Sequence, residues 1–328
     1  MASATRVNPA DPRIPSDPPT PTPEPQSPSG PPSEPTRRRL PMPPDSQTVS
    51  LSLLAVPAAR GITWVRQGLQ VFARRPLPLG GLFAMFLFVA LLLMVVPLVG
   101  AVAVLMALPL VSLGFMLATQ AIVNDRVPMP GIFLAPLRTD RTRRIALLQL
   151  GLAYAVASFV VVALTDWIDG GTFEALQAAM ASSSAETRDE IDRLLADPQL
   201  QTGIALRLLL AAALGLMFWH APALVHWGGQ GAAQALFSST LACWRNKGAF
   251  VAFASSWVVL AGGIVLAMTL VARMLQMPVL MTAIVMPTVL LLSTVFYASL
   301  FFTFDDCFGA REPPRTQRDN VIPLRQDT

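Results

Sequence analysis

The stretch from Pro76 to Asn124 contains no ionisable side chain. At about 49 residues it is long enough for two membrane passes of ~20 residues each and too long for one. No water-facing domain keeps such a run uncharged, whereas hydrocarbon suits it. The whole chain is 53% hydrophobic and 13% charged, against roughly 25% charged in soluble domains. Within the run, Pro97-Leu98-Val99-Gly100 supplies a turn. Two spans are therefore expected at 79–96 and 101–123. The same criterion places further spans at 145–165, 204–221, 248–272 and 279–304. Pro109 and Pro287 fall inside spans, where neighbouring helices can satisfy the freed carbonyls. The fold class that follows is all-α: a polytopic helical membrane protein with six transmembrane helices and two amphipathic interfacial helices.

The flanking segments read differently. Residues 1–50 hold half of the thirty prolines among Ser, Thr and scattered charges. They read as a disordered tail with too little apolar surface to offset the entropy of ordering. Arg37-Arg38-Arg39 followed by Val49 to Val56 has the order of a secretory leader. It lies far from Met1 and its apolar core is short, so no cleavage is expected. A start at Met42 would remove only the tail. Residues 51–305 form the membrane domain, and 306–328 a second tail.

Residues 61–75 are predicted to lie on the membrane. Ile62, Trp64, Val65, Leu69, Val71 and Phe72 fill one half of the helical wheel, with Thr63, Arg66, Gln67, Gln70 and Arg74 on the other. Pro76 ends this helix. A second surface helix is expected at 230–245, where Ala233, Leu236, Phe237, Thr240, Leu241 and Trp244 recur at helical spacing. Surface helix, basic pair and span hairpin occur in that order from 62 to 123 and again from 230 to 304, which suggests an internal duplication.

Charge asymmetry gives the orientation. Arg60, Arg66, Arg74 and Arg75 precede the first span. Arg126, Arg138, Arg141, Arg143 and Arg144 follow the second, Arg245 and Lys247 follow the fourth, and Arg311, Arg315, Arg318 and Arg325 follow the last. The opposite segments are poor in basic residues, and the loop at 166–203 is acidic. Both termini are expected in the cytoplasm. The basic residues flank apolar runs instead of forming one stripe, so nucleic acid is not an expected partner. The expected partner is the bilayer itself, with anionic lipids at the cytoplasmic face. The candidate surface contacts are Trp64, Arg66, Arg74, Arg75, Trp219, His220, His226, Trp244, Arg245 and Lys247. The sequence identifies no protein partner.

Chemistry-bearing patterns are sparse. His220 and His226, the only histidines, are six apart with Pro222 between them. A helical metal pair wants i, i+4 spacing and a third ligand. Metal or proton chemistry here is set against a structural or headgroup-contacting role, which the spacing favours. Cys243 and Cys307 show no spacing of a disulfide scaffold or zinc site. No predicted span carries a carboxylate, which lowers the odds of an ion-coupled pump. Arg207, near an outer end, can snorkel. Gln149, Ser158, Ser255, Ser256 and Tyr297 either line a path or bond between helices, with packing favoured. No catalytic residue, cofactor or metal is assigned.

Val56-Pro57-Ala58, the run from Gly61 to Gly68, Phe72, Arg75-Pro76 and the segment Phe218 to Val225 resemble a family of uncharacterised bacterial inner-membrane proteins. The resemblance covers about residues 51–305. It implies a multi-pass protein of the inner membrane and carries over no activity. The expected role is non-enzymatic: organising or assisting the envelope through lipid or protein contacts. A small-solute permease or channel is the alternative, and a membrane enzyme using the His220/His226 segment is a weaker one.

Overall fold

The computed structural model of the protein describes residues 51–181, 187–276 and 278–309. The tail expected at 1–50 and most of that expected at 306–328 lie outside these residues. The chain is helical, with no strand among the described residues. The helices are α1 (Arg60–Arg74), α2 (Pro76–Met94), α3 (Val99–Val123), α4 (Arg141–Asp169), α5 (Thr172–Ala181), α6 (Thr187–Leu195), α7 (Pro198–Phe218), α8 (Ala221–Gly228), α9 (Ala232–Arg245), α10 (Lys247–Leu275) and α11 (Pro278–Phe308).

Local chemistry sets these boundaries. Arg75 breaks the chain with φ −143°, and Pro76 opens α2, where its fixed φ and missing N–H cost nothing. The Asp140 carboxylate accepts the Arg143 N–H at 2.9 Å and caps α4, and Gly170 closes that helix in a left-handed conformation. Asp197 caps α7 in the same way, through the Gln199 N–H at 2.8 Å.

Among the described residues, six helices are long and apolar enough to cross a membrane. Their positions follow the uncharged runs, and the spans pair as hairpins α2–α3, α4–α7 and α10–α11. With 19 residues, α2 is about 28 Å long, close to the ~30 Å of bilayer hydrocarbon. The 31 residues of α11 reach about 46 Å, so α11 outruns the hydrocarbon. It also overruns the expected boundary at 305. Asp306 and Cys307, assigned to a tail by sequence, are part of the helix, and Cys307 is fully buried.

The connecting elements obey a common rule. The segment between α3 and α4 packs on α3, α9 packs on α7 and α4, and α1 packs on α10 and α11. Thus α9 leans on the hairpin preceding it, and α1, the first of the described helices, packs on the last hairpin.

This changes what the apolar face predicted for 61–75 meets. Arg60 and Trp64 bond to Asp306, while Gly68 sits on Val295 and Ser299. So α1 runs antiparallel to the end of α11. The face expected to meet lipid instead meets protein: Trp64, Val65 and Val71 are buried, and Ile62 is 60% exposed. Gly61 permits this approach, because a Cβ there would collide with the backbone of Ala249 and Phe253.

By contrast, α9 turns its small residues inward. Ala235, Ser239, Ala242 and Cys243 are buried, whereas Phe237, Leu241 and Trp244 are exposed. The large apolar stripe read from the sequence is real, and it faces away from the bundle.

At the acidic end, Arg207 is bonded rather than snorkelling. Its guanidinium reaches Asp166 at 2.6 Å and Asp169 at 3.3 Å, and its Nε donates to Thr165 at 3.1 Å. It also lies 3.9 Å over the Phe173 ring. These bonds tie α4 to α7 beside the acidic loop.

Candidate functional site

The histidine segment is closed. α7 stops at Phe218 and α8 starts at Ala221, so the break falls at Trp219–His220, with Pro222 in the first turn of the new helix. His220 is fully buried. Its backbone N–H donates to Ser239 Oγ at 3.0 Å, and its Nε2 lies 3.1 Å from Thr303 Oγ1. Thr303 spends its own hydrogen on the Leu300 carbonyl at 2.8 Å and accepts from Trp219 Nε1 at 3.1 Å. A hydroxyl has one hydrogen and two lone pairs. The remaining lone pair is therefore what His220 meets, and the network assigns the proton to Nε2. Phe250, Phe304 and Phe308 pack edge-on around the ring. This arrangement locks the break between α7 and α8 onto α9, α10 and α11.

The lipid contacts expected of Trp64 and His220 are thereby corrected, because neither side chain reaches the surface. Trp64 Nε1 donates to Asp306 at 2.6 Å, beside the Arg60–Asp306 ion pair at 2.7 Å. The Arg60 guanidinium donates to the Asp306 carboxylate, and these hydrogen bonds push its pKa above the ordinary value. Trp219 is half-buried and bonded to Thr303. His226 is half-buried, and its carbonyl accepts from Arg143 at 3.0 Å. Arg66, Arg74, Arg75, Trp244, Arg245 and Lys247 are exposed, and the Lys247 ammonium lies 5.5 Å from the Trp244 ring.

The two cysteines are free and buried. Burial pushes the Cys243 thiol up to about 12, with the neighbouring Cys307 adding to the effect. Asn246 lies between α9 and α10 and clasps the strap that precedes α1. Its Oδ1 accepts the Val56 N–H at 2.8 Å, and its Nδ2 donates to the Leu54 carbonyl at 3.1 Å. Leu54 N–H donates in turn to the Cys307 carbonyl at 2.9 Å. Among the described residues, no group of three His, Cys, Asp or Glu side chains lies together as metal ligands would.

A shallow pocket beside α10 is lined by Ser255 and Ser256 with Ile62, Ala252, Val259 and Leu260, and a larger groove lies on the α2–α3 hairpin. From Val127 to Leu137 the chain carries no charge, between Arg126 and Arg138. A run of that length is too short to cross and suits a re-entrant or interfacial segment. It folds as two 3₁₀ turns, Pro130–Phe133 and Ala135–Arg138. Phe133 packs on Gly114, where a Cβ would collide with its ring, and against Phe115 at 5.4 Å. Nine residues separate Gly114 from the end of α3 at Val123. The Phe133 ring therefore meets α3 about 14 Å from that helix's end. The segment's turns satisfy part of their own backbone, through Ile132 N–H to Met129, Leu134 N–H to Gly131 and Leu137 N–H to Leu134, as non-helical backbone packed on protein at that depth must.

The groove, of about 520 Å³, lies between this segment and the hairpin. Met85, Phe86 and Val89 of α2 wall one side, and Ala107, Leu110 and Val111 of α3 the other. Phe133, Leu134 and Leu137 supply the third wall. The walls are almost wholly apolar, so the groove suits hydrocarbon and offers nothing to orient a polar solute. None of Gln149, Ser158, Ser255, Ser256 and Tyr297 lines it. Ser256 bonds within its own helix, to the Ala252 carbonyl at 2.7 Å.

No family model matches the chain, and no solved structure is significantly similar to it. A probable inner membrane protein of Burkholderia thailandensis is 31% identical over 281 residues, which is 83% of this chain and 99% of the relative. Helices long and apolar enough to cross a membrane fit the relative's description as a probable inner membrane protein. The chain belongs to the same family of bacterial inner-membrane proteins as that relative.

Proposed function

We propose that the protein is a non-enzymatic, lipid-contacting component of the inner membrane that organises or assists the envelope. The observation that carries this reading is the apolar groove of about 520 Å³ on the α2–α3 hairpin, walled by a charge-free segment. A groove without polar groups holds hydrocarbon and does no acid–base or nucleophilic work. His220, a side chain suited to chemistry, is fully buried with its Nε2 on Thr303. Both termini lie in the cytoplasm, because the arginine-rich connections share one face and cytoplasmic loops carry the excess of Lys and Arg. Arg66, Arg74, Arg75, Arg245 and Lys247 then meet anionic headgroups, each contributing ~1 kcal/mol near the surface. Trp244 anchors α9 at the same interface.

The test is a lipid and metabolite comparison of a deletion strain with its parent and a complemented strain. An altered lipid profile or envelope stress, reversed by complementation, is the expected result. One solute accumulating on one side of the membrane would overturn this reading in favour of a permease. Loss of a conversion that depends on His220 or His226 at normal protein level would overturn it in favour of an enzyme.

A further inference from the structure

The groove has a floor and charged neighbours in sequence, and together they specify an occupant. The floor is the segment 127–137, which meets α3 at Gly114. Next to it in sequence stand the arginines at the two ends of that segment and at the start of α4, of which Arg138 directly follows the lining residue Leu137. Arg126, Arg138, Arg141 and Arg144 are all exposed, and none pairs with a carboxylate among the described residues. Two carboxylates share that stretch of sequence. Asp140 is engaged at the α4 N-terminus and with Arg143 at 3.2 Å. Asp125 is exposed on left-handed backbone, φ 57°. The stretch thus keeps a net positive charge.

Leu137 lines the groove and Arg138 follows it directly. A headgroup held at Arg138 has its hydrocarbon beginning at Leu137, and one leaflet of hydrocarbon is about 15 Å deep. We propose that this is a site for one phospholipid with an anionic headgroup, drawn from the leaflet on the arginine side. Its phosphate is bound by Arg126 and Arg138, and one acyl chain lies along Leu137 and Leu134 into the groove between Met85 and Leu110. Arginine's planar fork suits a phosphate, and the uncharged segment between the two arginines separates headgroup from tail. The proposal rests on the lipid-contact reading above and adds the location, the leaflet and the sign of the headgroup charge.

The test uses the full chain in nanodiscs. The probe is a phospholipid with a photoactivatable group at one chain terminus, made with either a phosphatidylglycerol or a phosphatidylcholine head. Cross-linked peptides are mapped by mass spectrometry. Cross-links with the phosphatidylglycerol probe are expected to concentrate on residues 85–93 and 104–111. Two arginines near the surface, at ~1 kcal/mol each, correspond to a loss of roughly tenfold or more in R126Q/R138Q. Both substitutions are at exposed positions, so the fold is retained. In a second variant, Ala107→Leu, the groove is narrowed with the arginines intact, and groove cross-links should fall while the headgroup preference stays. Equal labelling by both probes, spread over the exposed faces of α2, α10 and α11, would overturn the site and show ordinary solvation by lipid. A groove that labels equally with the phosphatidylcholine probe would overturn the headgroup assignment. The deletion strain answers separately. A changed lipid profile with an unlabelled groove removes only this site. A labelled groove with one accumulating solute removes only the wider reading.

Discussion

α1 and α9 look alike in sequence and fold to opposite ends. Each is amphipathic, and each precedes a one-residue break and a membrane hairpin, at Arg75 and Asn246. α1 is taken into the bundle through its large residues, with Trp64 at its centre. α9 enters through Ala235, Ser239, Ala242 and Cys243 and leaves Phe237, Leu241 and Trp244 outside. The difference teaches that an amphipathic pattern identifies a helix with two faces and not the medium each face meets. What separates the two is close approach. Gly61 lets α1 reach the backbone of α10, so its aromatic face can be enclosed. α9 has no glycine within its helix.

Four substitutions or conditions would break this comparison, or sharpen it. The largest effect is expected from Trp64→Ala, which empties the centre of the α1 contact and removes a donor from Asp306. A loss of about 3–5 kcal/mol is expected, read as a lower melting temperature in detergent and a smaller folded fraction by size exclusion. Trp244→Ala should leave that temperature unchanged. Equal losses in the two variants would mean that α9 is as enclosed as α1.

Asp306→Ala should come next. It leaves the Trp64 indole N–H and the Arg60 guanidinium without their acceptor, at a cost of roughly 1–3 kcal/mol. Denaturation in parallel with Arg60→Ala would check it, since the two should not add if they break one network.

A smaller effect is expected from pH on the inward face of α9. The Cys243 thiol is pushed from its ordinary value of 9.0 up to about 12 by burial. Below pH 9 the thiol is neutral in both folded and unfolded chains, and its contribution to stability is fully present. As the pH rises from 9 towards 12, the unfolded chain releases its proton first and stability falls. Alkylation of the folded protein at pH 8 should accordingly be slow at Cys243 and should become fast on unfolding. Rapid labelling under native conditions would show that α9 opens readily.

The smallest effect on stability belongs to the outer stripe of α9. Replacing Phe237 and Leu241 by Ser should shift the melting temperature in detergent by an amount equivalent to about 0.5 kcal/mol or less per site. Fluorescence of Trp244 with bromine-labelled lipids should nevertheless report weaker quenching, because the stripe is what holds α9 against hydrocarbon. Undiminished quenching would assign the stripe to a protein contact.

The spans were legible because the absence of charge over some twenty residues has one common physical cause. The site was less so. The segment from Val127 to Leu137 is too short to span and contains Pro128, Pro130 and Pro136, so it reads as a loop between two basic clusters. The available signal was an uncharged run bounded by Arg126 and Arg138. The burial of His220 depends on Ser239 and Thr303, the latter 83 residues away, and no local pattern announces partners at that separation. By sequence, the last span ends at Phe304, with Asp305 at its end, and 306–328 falls in a tail. The helix continues because Arg60 and Trp64 supply partners for the charge.

The clasp of Asn246 on Leu54 and Val56 and the enclosure of α1 by α10 and α11 join the first described residues to the last. In the order of synthesis, these partners are separated by the whole of the membrane domain. α1 leaves the ribosome before the six described spans, and its binding surface does not exist until the α10–α11 hairpin has been inserted. Through that interval α1 has an uncovered aromatic face and a basic one, the character of a helix that rests at a bilayer surface. The surface position that its sequence suggests thus describes a waiting state, and the native position describes closure. A chain ending before Lys247 should keep Trp64 within reach of bromine-labelled lipids, and the full chain should not. Insertion of the last hairpin is then the step that commits the protein to its fold, and damage to α10 or α11 would be felt first at the opposite end of the chain.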